Sequence, residues 1–177
     1  MTRQRAVLFL VLVLGATVVP RAEESLRITP LVNGDRVVVS FELNDAYTDA
    51  VREAIASGLR TTFTYELELR TVSVVWFDRT IATTVVTTSD QFDNLTRRHT
   101  LTRTVDGRVE EVAVTDDEAV AKTWLTEWSR VPVSDTSKLD PTRDYYVRVT
   151  TRERPLGGSL FGVTKTTTGR AKFTFIP

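Results

Sequence analysis

Residues 61–78 read TTFTYELELRTVSVVWFD. Phe63, Tyr65, Leu67 and Leu69 alternate with Thr62, Thr64, Glu66, Glu68 and Arg70. A side-chain period of two puts one set on each face of an extended chain, one face dry and the other wet. The stretch therefore predicts a long half-buried strand. From Val74 to Phe77 the text is apolar at every position. That change predicts a bulge or bend near residues 71–73, with both faces covered beyond it.

Working outward, turn signals separate further extended segments. Residues 26–32 and 36–43 flank Asn33-Gly34-Asp35, a tight hairpin in which Asn-Gly supplies the positive φ values. Pro30 places the first of these strands at a sheet edge, because proline cannot donate to a ladder. Residues 48–57 predict a helix with Thr48 as N-cap and Gly58 as its stop, packing Val51, Ala54, Ile55 and Leu59 on a sheet. Strands are expected over 80–89 and 95–105, then 108–114 after Asp106-Gly107. A second helix is expected from Thr115, as N-cap, to about Arg130, with Val120, Trp124 and Trp128 on one stripe. A loop over 134–141, a strand over 144–154 and a last strand around 171–176 complete the chain.

The order is two strands, a helix, four strands, a helix and two strands. Hairpins dominate, so the expected fold is a β-rich α+β domain: a mostly antiparallel sheet or sandwich of about eight strands with two helices. The 29 Thr and 25 Val among 177 residues agree, since β-branched side chains suit strands. The expected core joins Phe63, Tyr65, Leu67, Leu69, Trp76, Trp124, Trp128, Tyr145, Val147 and Val149.

The amino terminus has a different character. Arg3 and Arg5 precede an uncharged apolar run over 6–19, and Glu23-Glu24 follow Ala22. The run is short of the roughly 20 residues of a spanning helix and fits a secretory h-region. Residues 1–22 are expected to be a signal peptide, or an anchor in the inner membrane through residues 6–19 if uncleaved; residues 23–177 are expected to form one β-rich domain. The expected compartment is periplasmic or extracytoplasmic. Cleavage after Ala22 would leave 20 basic and 23 acidic residues.

Composition excludes several classes of function. With Lys+Arg 23 and Asp+Glu 23, the net charge of +0 argues against a nucleic-acid binder. Cys 0 removes thiolate nucleophiles, disulfides and Cys-type metal sites. The single histidine, His99, is expected at an exposed strand position beside Arg97 and Arg98, and no G-x-S-x-G elbow occurs. Glu66 and Glu68 read as a solvated strand face, and Asp116, Asp117 and Glu118 as helix-start carboxylates. No catalytic residue, metal site or cofactor is expected.

Two surface features stand out. Arg97, Arg98, Arg103 and Arg108 crowd one hairpin, as an anion-binding patch or as protection for an edge strand. Leu156, Leu160 and Phe161, in a loop with Gly157-Gly158, make the expected contact surface for a partner.

Four stretches resemble a known family. They are ELNDAYTDAVREAIASGLRTTFTYELELR at 42–70, WFD at 76–78, FDNLTRRHTL at 92–101 and YYVRVTTR at 145–152. Together they resemble the bacterial exported domain-of-unknown-function 4390 family over most of residues 26–155. The resemblance implies export and a single domain, and it implies no reaction. The family often has an aromatic at the position of His99. The expectation is thus a non-enzymatic domain of the cell envelope that binds an unknown envelope protein or ligand; the alternative is a membrane-anchored accessory or sensory module, and an envelope enzyme is the third reading.

Overall fold

The computed structural model describes residues 25–72, 78–155 and 166–176. The N-terminal segment 1–22, Trp76 and the loop carrying Leu156, Leu160 and Phe161 lie outside the described residues.

Among the described residues nine strands and two α-helices follow one another: β1 (Leu26–Asn33), β2 (Arg36–Leu43), α1 (Asp49–Ala56), β3 (Thr61–Thr71), β4 (Arg79–Asp93), β5 (Arg98–Val105), β6 (Arg108–Thr115), α2 (Glu118–Thr126), β7 (Glu127–Asp135), β8 (Asp144–Pro155) and β9 (Thr166–Thr174). They form two sheets, β1-β2-β7 and β6-β5-β4-β3-β8-β9. Every pairing is antiparallel. The β-rich α+β reading therefore holds, as a two-sheet sandwich. Among the described residues no helix is long and apolar enough to cross a membrane.

The alternation of β3 comes out as read. Phe63, Tyr65, Leu67 and Leu69 are buried on one face, and β3 lies between β4 and β8 in the larger sheet. Tyr145, Val147 and Val149 of β8 and Val37, Val39 and Phe41 of β2 close the same core. On the other face Glu68 is not solvated as expected: its side chain is 13% exposed and pairs with Arg70 and Arg148. Glu66 is more open and lies 4.0 Å from Arg152. Pro30 sits on β1, an edge strand, as its chemistry requires. Thr48 caps α1 by accepting from Val51 N–H at 3.3 Å. Leu59, expected on the buried face of that helix, is instead past its end and exposed.

The second helix is shorter than its apolar spacing suggested. Asp117, not Thr115, is its N-cap, accepting from Ala119 N–H at 2.7 Å. The helix stops at Thr126, and the text expected as helix end and loop becomes β7, which pairs with β2. An extra residue on β7 between the Phe41–Trp128 and Val39–Val131 pairs makes a bulge, with Arg130 at φ 55°. Pro132 is tolerated because β7 is an edge strand. Trp128 is thus a strand residue; it and Trp124 are both buried, but only Trp128 joins the main core, while Trp124 packs in a smaller cluster with Leu101 and Ala121 and so departs from the single expected core.

Gly169 explains how closely β9 and β1 approach. A Cβ there would lie 3.1 Å from Leu26 Cδ2 and from Ile28 Cδ1. Gly169→Val should destabilise the domain by about 1–3 kcal/mol, the usual range for overpacking. A variant whose urea midpoint matches the parent would show that the two sheets part there without strain.

Candidate functional site

The chemistry gathers at one end of the β4–β5 hairpin. Asp93 Oδ1 accepts from the Leu95 and Thr96 N–H groups at 2.8 and 3.3 Å. These bonds to the charged form hold the Asp93 carboxyl below its ordinary range. Arg97 closes the turn by donating its N–H to Asp93 O at 2.8 Å, with φ 59°. The register then sets Phe92 opposite His99 and Asp90 opposite Leu101. Asp90, Phe92 and His99 thus share the inner face.

His99 is 6% exposed, which corrects the expectation of an exposed strand position. Its Nδ1 lies 2.8 Å from Asp90 Oδ2, and its ring packs 4.7 Å from the Phe92 ring. Asp90 is fully buried, and its second oxygen, Oδ1, has no hydrogen-bond partner among the described residues. Burial pushes the Asp90 carboxyl up, and the contact with His99 offsets part of that. When Asp90 is ionised, Nδ1–H donates to it, and Nε2 is left as the free position of the imidazole.

Both helices roof this pair. Tyr47 donates to Glu118 Oε1 at 3.3 Å, and Arg52 Nε reaches the same oxygen at 3.0 Å. Burial first, then the Glu118 charge, raises the Tyr47 phenol well above its ordinary value. Between roof and hairpin lies a cavity of about 220 Å³, lined by Tyr47, Arg52, Phe92, Arg97, His99 and Glu118 among others. The Arg52 and Arg97 guanidiniums, the Glu118 carboxylate and the rings of Tyr47, Phe92 and His99 all border it. Among the described residues no group of three or more His, Cys, Asp or Glu could hold a metal ion.

The four arginines do not form one patch. Arg97 lies in the turn and Arg98 begins β5, whereas Arg108 starts β6 at the far end of the hairpin, roughly 23 Å away at ~3.3 Å per residue. Arg103 points inward. Its guanidinium lies 4.3 Å from the Trp124 ring centroid and 4.7 Å from that of Trp128. It donates to Trp124 O and Glu127 O at 3.2 and 2.7 Å, supplying partners where α2 ends. Burial lowers its proton affinity, offset in part by Glu111. Nor does the group guard an edge, because β5 lies between β4 and β6. Only Arg108 is on the edge strand.

That edge strand has its own character. Val109, Val112 and Val114 of β6 are 63, 59 and 59% exposed. They share the outer face with Thr104, Thr102 and Thr100, their partners on β5.

Asp90 escaped the sequence reading, although a signal was present. It stands at even spacing from Val86 and Phe92, on the dry parity of its strand. A carboxylate on a dry face needs a partner, and across the turn the sole histidine supplies one.

The sequence profile of one family, described as Domain of unknown function (DUF4390), matches residues 24–154. No curated protein and no solved structure matches the chain.

Proposed function

The chain belongs to the DUF4390 family, and from that premise we propose an exported, non-enzymatic domain of the cell envelope that binds another envelope protein. The observation that carries the binding is β6. An edge strand presents unpaired N–H and C=O groups, and exposed valines beside them invite pairing with an extended segment. Glu110 and Glu111 are exposed on the same strand. They favour a partner segment that carries a basic residue between apolar ones. Export rests on Arg3, Arg5 and the apolar run 6–19. If residues 1–22 stay attached, the same domain works as an anchored accessory module beside a membrane protein.

A photo-crosslinking residue at position 112, in cells that make the protein, tests the binding. The expected result is one crosslinked protein species, lost when Val109 and Val114 are replaced by lysine, and no such species from position 168 on β9. Crosslinking only to a second copy, or equally from both positions, would overturn the reading. A periplasm-dependent reporter fused to residues 1–30 tests export, and a reporter confined to the cytoplasm would refute it. Sequencing the amino terminus of the product separates cleavage from anchoring.

A further inference from the structure

The cavity beside His99 is lined by no residue of β6 and brings together groups that a merely structural corner does not need. Behind the His99 ring, and not lining the cavity itself, lies the buried Asp90 carboxylate, whose Oδ2 sits 2.8 Å from His99 Nδ1 and fixes the ring. The cavity rim holds Arg97, whose guanidinium lies 5.7 Å from the Phe92 ring centroid. None of the ion pairs among the described residues uses Arg97, whereas Arg52 is engaged at 3.0 Å by both Asp49 and Glu118. A non-glycine residue at φ 59° is uncommon, and such conformations cluster where a side chain must be aimed.

We propose that this cavity binds a small organic carboxylate, held between the Arg97 guanidinium and the Nε2 edge of His99, with its apolar part against Phe92. A guanidinium fork fits a carboxylate with two parallel N–H···O bonds. The imidazole is oriented for the same task, because Asp90 occupies Nδ1 and turns the opposite nitrogen free. With Asp90 ionised, a proton on Nε2 makes His99 a cationic donor to the ligand. The volume of about 220 Å³ limits the ligand to a small molecule or a single terminal group. Glu118 on the cavity wall and Asp90 behind His99 also limit its charge, so a dianion meets repulsion that a monoanion largely escapes.

The chain carries one histidine, so its imidazole signals in an NMR spectrum belong to His99 alone. The full-length protein is titrated with acetate, propionate, inorganic phosphate and methylammonium at constant ionic strength. The expected result is a saturable shift of the His99 signals with the two carboxylates, and half-saturation at least tenfold higher for phosphate. Arg97→Asn keeps a residue suited to positive φ. It should raise the carboxylate half-saturation concentration by about tenfold, the loss expected from one charge-assisted pair. Arg170→Asn, on β9, should leave it unchanged. A shift that never saturates, equal saturation by phosphate, or an Arg97→Asn response like the parent's would each overturn the proposal. Crosslinking from β6 bears on none of these outcomes, so the two readings fail separately.

Discussion

Tyr65→Ala should lower the unfolding free energy by about 3–5 kcal/mol, the range for deleting a core aromatic. Tyr65 is fully buried on β3, with its ring 4.8 Å from Phe41 of β2 and 6.5 Å from Phe63. Its hydroxyl donates to Leu125 O at 2.5 Å, tying the larger sheet to the last turn of α2. One side chain therefore touches both sheets and a helix, and no neighbour can collapse into its space without moving another layer. Tyr65→Phe keeps the ring and removes the bond, so a smaller loss of about 1–3 kcal/mol is expected. Urea unfolding followed by tryptophan fluorescence measures both. A loss below about 1 kcal/mol for alanine would mean that the sheets are held together elsewhere.

Trp124→Ala should cost a similar ~3–5 kcal/mol. Trp124 is buried on α2 beside Leu101 and Ala121, and Arg103 stacks on its ring and on that of Trp128. Arg103→Met keeps the apolar stem and removes the charge and its bonds to Trp124 O and Glu127 O. That variant should lose about 2–3 kcal/mol. Because the two side chains touch, their effects should not add. The double variant should fall short of the summed losses by about 1 kcal/mol in a mutant cycle. Strict additivity would show that the guanidinium serves the carbonyls at the end of α2 and not the indole.

The helix end at Thr126 shows where a reading along the chain stops working. Val120, Trp124 and Trp128 have helical spacing, but the alternative for residues 127–135 is a ladder with β2, whose residues lie about ninety positions earlier. The pattern Trp128, Val131, Val133 gave little warning, because the bulge at Ser129–Arg130 breaks strand parity. Pro132 stops a helix and is excluded from central strands alike, so only an edge position such as that of β7 accommodates it. The arginines teach the same lesson. Arg97, Arg98, Arg103 and Arg108 are close in sequence, yet a strand separates its residues by distance and by face, and one of the four caps a helix inside the domain.

The amino-acid sequence by itself determined what depends on a few neighbouring residues. The alternation of β3, the hairpin turns at 33–35 and 106–107 and the Thr48 cap are local features, set by a period of two, by φ and by one hydrogen bond, although at the first turn Gly34 alone takes positive φ and Asn33 ends β1, against the expected Asn-Gly pair. Such terms act identically in any fold, so they can be read before one is known. Tertiary structure alone decided what depends on register and on cover. His99 is buried because the β4–β5 register sets it beside Phe92 and diagonal to Asp90, and because Arg52 of α1, Glu118 of α2 and Tyr47 just before the α1 cap come together over it. The exposure of Val109, Val112 and Val114 follows from the place of β6 at the end of its sheet, with no strand beyond it among the described residues. Burial belongs to the surroundings that the rest of the chain builds around a residue, and those contacts join segments far apart in sequence.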